Sequence, residues 1–162
     1  MAKTVKTNVL RHLDRERIPY ETREYPVAEG SFDGKLVAEE LGLDPLTVYK
    51  TLVLTDDHNG HLVCVIPVCD ELDLKAVARA SGHKSVQMLP MKDLLPLTGY
   101  VRGGCSPIGL KKAFPTLIDR RALDLECISV SAGVRGCQVL LRPADLIACT
   151  GAVPADLCRT QD

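Results

Sequence analysis

Hydrophobic positions recur with a helical period at the start of the chain. Val9 and Leu13 follow Val5 at steps of four, and Leu10 widens the same face. This predicts an amphipathic helix over about residues 4–17, stopped by Pro19. Residues 20–25 read as a short strand closed by Pro26. A second helix holds Leu36, Val37 and Leu41, with Ser31 as its N-cap and Gly42 just past its end. Asp44-Pro45 sets a capping carboxylate before a proline and predicts one further helical turn.

The pattern then turns to β. Residues 48–54 are rich in β-branched and apolar side chains, Asn59-Gly60 is a hairpin signal, and residues 62–68 form the return strand. Asp73 caps a helix through Leu74, Val77 and Ala78 that ends at Gly82. A strand over 86–89 and a short helix over 91–95 follow. Three more strands cover 116–119, 127–131 and 137–141, the last two joined across Gly133 and Gly136. A helix over 144–149 closes the series. Helices and strands mix without strict βαβ alternation, which predicts an α+β fold with a mixed or antiparallel sheet. No repeat, low-complexity tract or linker breaks the pattern, so one domain is expected over residues 1–162.

Composition changes this picture little. Hydrophobic residues make up 46% and charged residues 25% of the 162, the ordinary range for a globular chain. No apolar run is long enough to span a bilayer, and the polar start does not look like a signal peptide. The expectation is a cytoplasmic protein without a membrane partner. Twenty basic residues against twenty-one acidic ones leave a net charge of -1, so a nucleic acid would need a local basic patch. Lys111-Lys112 and Arg120-Arg121 are candidates for one.

Seven cysteines are present. None forms a C-x-x-C pair, which argues against a zinc ribbon or a thioredoxin-like site. They read as reduced, buried small hydrophobes. His58 and His61 flank the hairpin turn and read as exposed turn residues. No metal or other cofactor is expected.

Two features carry candidate chemistry. Lys50 is the one charge in the run 48–54, and on a strand it shares a face with Val48, Leu52 and Leu54. Its ammonium either snorkels to water or meets a ligand phosphate or carboxylate. The stretch Gly103-Gly104-Cys105-Ser106-Pro107-Ile108-Gly109 pairs two glycines with a stiffening proline. It serves either as a tight connection or as a loop whose backbone closely approaches a ligand. It matches neither a P-loop nor a nucleophile elbow.

Taken in order, several segments resemble the YbaK family, bacterial Cys-tRNA(Pro) deacylases related to the editing insertion of prolyl-tRNA synthetase. They are Tyr49-Lys50-Thr51-Leu52 after an Asp-Pro turn, Leu72-Asp73-Leu74-Lys75, Thr98-Gly99-Tyr100 before the glycine-rich loop, Ile118-Asp119, and the turn from Val130 through Gly136. The resemblance spans nearly the whole chain.

It implies a single compact α+β domain with a mixed, barrel-like sheet and surrounding helices. The implied activity is hydrolysis of a mischarged aminoacyl-tRNA ester, with the substrate's own thiol expelling the tRNA and no cofactor. Lys50, Gly103 and Gly104 are then the catalytic group. Tyr25, Phe32, Thr51, Ser106, Pro107 and Ser131 contact substrate, and Lys111 and Lys112 contact tRNA. Partners would be the acceptor end of a mischarged tRNA and prolyl-tRNA synthetase. Some relatives carry an acidic residue where this chain has Gln138. Two other readings fit the same residues: an editing deacylase for another pair, such as Ala-tRNA(Pro), and a non-catalytic module that binds an aminoacyl-tRNA end.

Overall fold

Helix α1 (Asn8–Arg15) starts later than the periodicity suggests, because Thr7 is the better cap: its Oγ1 accepts from Leu10 N at 3.2 Å. The same hydroxyl donates to the carbonyl of Ala132 at 2.6 Å, tying the helix to the rest of the fold. Val9, Leu10 and Leu13 are at most 2% exposed, each contributing about 1.5–3 kcal/mol by leaving water. The computed structural model describes residues 6–27 and 34–159. The proposed cap at Ser31 and the candidate Phe32 lie outside them.

The remaining elements run in chain order. Strand β1 (Glu21–Glu24) and helix α2 (Gly34–Leu41) come first. A 3-10 turn (Pro45–Thr47) follows, capped by Asp44, whose Oδ1 accepts from Leu46 N at 2.9 Å. Then come β2 (Tyr49–Asp56), β3 (His61–Pro67), α3 (Leu74–Ser81), β4 (Val86–Met88) and α4 (Met91–Thr98). After the glycine-rich loop lie β5 (Thr116–Asp119), a second 3-10 turn (Arg120–Asp124), β6 (Ile128–Ser131), β7 (Cys137–Leu141), α5 (Pro143–Thr150) and β8 (Val153–Ala155). Strand β8 and the second 3-10 turn carry no periodic signal and were not expected. Helix α4 runs past Leu95 through Pro96 to Thr98.

The strands form two sheets. One is antiparallel in the order β1-β7-β6; the other is mixed, β4-β2-β3-β5-β8, with β3-β5 and β5-β8 parallel. Among the described residues, one parallel bridge, from Val48 to Ser129, links them. The expectation of a barrel-like sheet is corrected to this extent: the sheets are joined at one corner and do not close. Strand β3 is covered on both faces, and Leu62 through Ile66 are all buried. Val63 and Val65 pack with α1 and β6-β7. Leu62, Cys64 and Ile66 pack beneath α3.

The seven thiols are all free. Cys127 corrects the reading of buried cysteines: it precedes β6 and is exposed, whereas Cys64 and Cys137 are buried. Nor is the hairpin a pair of isolated histidines. His61 is half-buried with its ring edge-on to Phe114 at 6.0 Å. Next to the exposed His58, His83 from the end of α3 sits between Asp57 (3.0 Å) and Asp56 (3.4 Å).

Candidate active site

The gap between the two sheets is built by β2. At one end Val48 bridges to Ser129, and at the other the carbonyl of Val53 accepts from Leu89 N at 3.0 Å. Between them, β2 pairs with β3 on one side only among the described strands. A cavity of about 510 Å³ runs along that open edge, a volume typical of small-ligand sites. Because it follows an edge, residues from both faces of β2 line it, Lys50 and Thr51 among them. Helices α2 and α4 supply apolar walls through Leu36, Val37, Met91 and Leu94.

Lys50 is half-buried and forms no hydrogen bond or ion pair among the described residues. The Thr51 hydroxyl is buried and also lacks a partner among them. Gly103, Tyr25 and Ser131 line the same cavity. Ser131 Oγ accepts from Gly133 N at 3.1 Å, which leaves its O–H to donate. Gln138 stands in the wall. Its Oε1 accepts from the buried Ser129 hydroxyl at 2.7 Å.

The glycine-rich loop is held at both ends. Gly104 N donates to Val101 O at 2.9 Å, which closes a tight turn. Gly103 sits there at φ +84°, a conformation that costs an L side chain about 1 kcal/mol or more. Ser106 is fully buried, and its Oγ accepts from Ile108 N at 3.3 Å. Its place is inside the loop and not on the cavity wall. Gly104 likewise turns away: a Cβ there would lie 3.1 Å from Arg135 N and Val134 C. Cys105 does reach the wall, but loss of solvation pushes its thiol up to about 12, so it is not a thiolate at neutral pH.

The family model of the aminoacyl-tRNA editing domain matches residues 31–149. The chain belongs to this family. An Enterococcus faecalis protein named "Putative Cys-tRNA(Pro)/Cys-tRNA(Cys) deacylase EbsC" is 44% identical to this editing-domain protein over 152 residues, covering 94% of this chain and 93% of the relative. A solved structure titled as a "putative trans-editing enzyme for prolyl tRNA synthetase" superposes with a TM-score of 0.82 at 22% identity, over 94% of this chain and 96% of the other. A solved hypothetical protein superposes at 0.86 with 23% identity, over 94% and 100%. At these identities the two structures establish the fold.

The editing-domain fold does not gather every sequence candidate. Pro107 and Lys112 line a second hollow and not this cavity. Lys111 lies along Gly99, its Cε and Cγ 3.4 Å from where a Cβ would be. Arg120 and Arg121 are occupied elsewhere. Arg121 bonds Asp119 at 2.8 Å and Asp70 at 2.6 Å, and Arg120 lies 3.6 Å from Asp156. The fold instead adds Arg102 and Arg135 to the cavity wall, with Glu40 from α2 as an acidic group. Both arginines adjoin glycine turns in the sequence, and a cation beside such a turn was the available signal. No helix among the described residues is long and apolar enough to cross a membrane.

Proposed function

We propose that the protein hydrolyses the ester of cysteine mischarged to tRNA(Pro), releasing cysteine and intact tRNA. The observation that carries the reading is Lys50: a half-buried ammonium without a partner among the described residues, on the wall of the cavity that also holds Gly103. A half-buried cation stays charged at least cost when a ligand anion pairs with it, and the phosphates at the tRNA 3′ end supply one. The family and the relative named for Cys-tRNA(Pro) and Cys-tRNA(Cys) point to the same substrate.

The chemistry divides between substrate and protein. The substrate's thiol sulfur attacks the ester carbonyl, and the bond from that carbon to the ribose oxygen breaks. The thiol proton leaves with the tRNA hydroxyl, and water then opens the cyclic thioester to free cysteine. Cys105 stays protonated and does not compete. Lys50 holds the 3′-terminal phosphate. The Ser131 hydroxyl and the backbone at Gly103 orient the aminoacyl group, and Thr51 stands behind them in the cavity wall. Orientation of an intramolecular step is worth about 7 kcal/mol or more in favourable cases. Prolyl-tRNA synthetase, as the source of the mischarged tRNA, is the proposed partner in the cytoplasm. Selection in a second site is needed because proline and cysteine differ too little for one pocket, by about 1–3 kcal/mol.

The test is deacylation of a panel: Cys-tRNA(Pro), Cys-tRNA(Cys), Ser-tRNA(Pro), Ala-tRNA(Pro) and Pro-tRNA(Pro). Release of cysteine is expected to be fastest, with the seryl ester much slower because a hydroxyl is the weaker nucleophile. Faster release of alanine would assign the protein to a different mischarged pair. Binding without turnover of any ester would make it a binding module.

A further inference from the structure

The second hollow, about 630 Å³, is lined by Pro107 and Gly109 of the same loop whose Gly103 and Cys105 line the cavity. Its main wall is one side of α1. Asn8, Arg11, His12 and Arg15 fall at i, i+3, i+4 and i+7, so they form a single helical stripe. The apolar side of the helix, Val9, Leu10 and Leu13, is turned into the core. Lys112 and Phe114 stand in the wall on the chain leaving the loop, with Cys149 and Thr150 from the end of α5.

The lining itself is basic: Arg11, Arg15 and Lys112 line it and no carboxylate among the described residues does, while Glu16 and Asp145 lie near enough to bear on the Cys149 thiol at its α5 end. The three are exposed, and among the described residues Arg11 bonds only the neutral Asn8 amide, at 3.1 Å. In a chain of net charge -1, this is a local concentration of positive charge. Such a patch attracts polyanions, and RNA phosphates release counterions on binding.

We propose that this hollow is the docking surface for the phosphate backbone of the tRNA acceptor arm. The proposal rests on the deacylase reading, since the RNA is the substrate whose aminoacyl end enters the cavity across the shared loop. The α1 stripe and Lys112 hold the RNA body, and the Gly103–Gly109 segment separates that grip from the chemistry.

Two substrates and one binding measurement test it. The variants are Arg11→Glu/Arg15→Glu and the milder Arg11→Gln/Arg15→Gln, both altering exposed side chains. Cysteinyl-tRNA(Pro) and a short cysteinylated CCA oligonucleotide are compared. The expected result is a KM for the full tRNA raised about tenfold or more, with the short ester hydrolysed as by the wild type. Affinity for uncharged tRNA(Pro) is measured across salt concentrations as a readout independent of catalysis. Its log–log salt slope is expected to fall by about one for each cation removed. Unchanged tRNA affinity and slope in both variants would overturn the docking surface, even if the wild type is an active deacylase. That is also the outcome if the hollow takes an acidic protein segment. A wild type that hydrolyses neither ester would overturn the deacylase reading, while the binding series would still decide the hollow.

Discussion

The buried hydroxyl of Tyr100 donates to the carbonyl of Ile108 at 2.5 Å, closing the glycine-rich loop across its base. Burial pushes this phenol up to about 12, so the bond persists through neutral pH. Tyr100→Phe leaves the Ile108 carbonyl without that donor and is expected to cost about 1–3 kcal/mol of stability. Because the loop carries Gly103 to the cavity, deacylation should fall as well, at temperatures where the variant is folded. Denaturant unfolding and deacylation rates on the same samples check both; full activity in the folded variant would separate the loop from the chemistry.

Gly104 is constrained by the protein's own backbone. A Cβ there meets Arg135 N, Val134 C and Val134 Cα at 3.1–3.2 Å, so the loop and the 133–136 turn must move apart. Gly104→Val is expected to destabilise by about 1–3 kcal/mol, the usual cost of overpacking. A displacement of this kind costs up to about 100-fold in rate. Gly104→Ala should give smaller losses in the same order. Unaltered deacylation in a folded Gly104→Val protein would count against the loop's role.

Cys105 is predicted to be dispensable as a nucleophile. Its thiol is pushed up to about 12 by loss of solvation, and none of the four histidines lies near it in the sequence. Cys105→Ala should retain deacylation of Cys-tRNA(Pro) within a few-fold, and acid-quenched wild-type reactions should hold no cysteinyl-enzyme. Loss of turnover in the folded variant would mean that a protein thiol carries the reaction.

The β2-β3 hairpin gives a pH signature. Asp56 Oδ1 accepts from His58 N at 2.8 Å and Gly60 N at 2.9 Å, and these bonds, that from His58 foremost, hold its carboxyl below the usual carboxylate range. A lowered folded-state value means the stabilisation is present above the unfolded pKa, about 3.9. It is lost as pH falls through the folded value. Thermal unfolding of wild type and Asp56→Ala should therefore differ most near neutral pH and converge below about pH 4. A difference that stays constant into acid would remove Asp56 from the account.

Much of this architecture is legible in the chain. Asp44 and Asp73 cap where their short side chains precede helical runs, and Gly82 ends α3 at φ +76°. The run 48–54 announces β2 and isolates Lys50 as its one charge. Strand β8 was not legible, because Val153–Ala155 is three residues long and owes its conformation to pairing with β5. The candidate site divides along the same line. Lys50, Thr51 and Gly103 sit on local motifs, but the gap that unites them depends on the Val48–Ser129 bridge between distant strands. Nothing local distinguishes Lys112, on the hollow, from Lys111, packed along Gly99. The aspartates that occupy Arg121 include Asp70, far off in sequence.

Deacylation in the cavity along β2 is proposed to run through Lys50. The measurement that tests it most directly is the rate of Cys-tRNA(Pro) deacylation by Lys50→Ala at subsaturating substrate, with folding checked by circular dichroism. The expected result is a folded protein whose rate is lower by about 100-fold or more, the scale of losing a charge-stabilising group. Lys50→Arg should restore only part of it, since a planar guanidinium does not replace a compact ammonium. Near wild-type deacylation by folded Lys50→Ala would contradict the account.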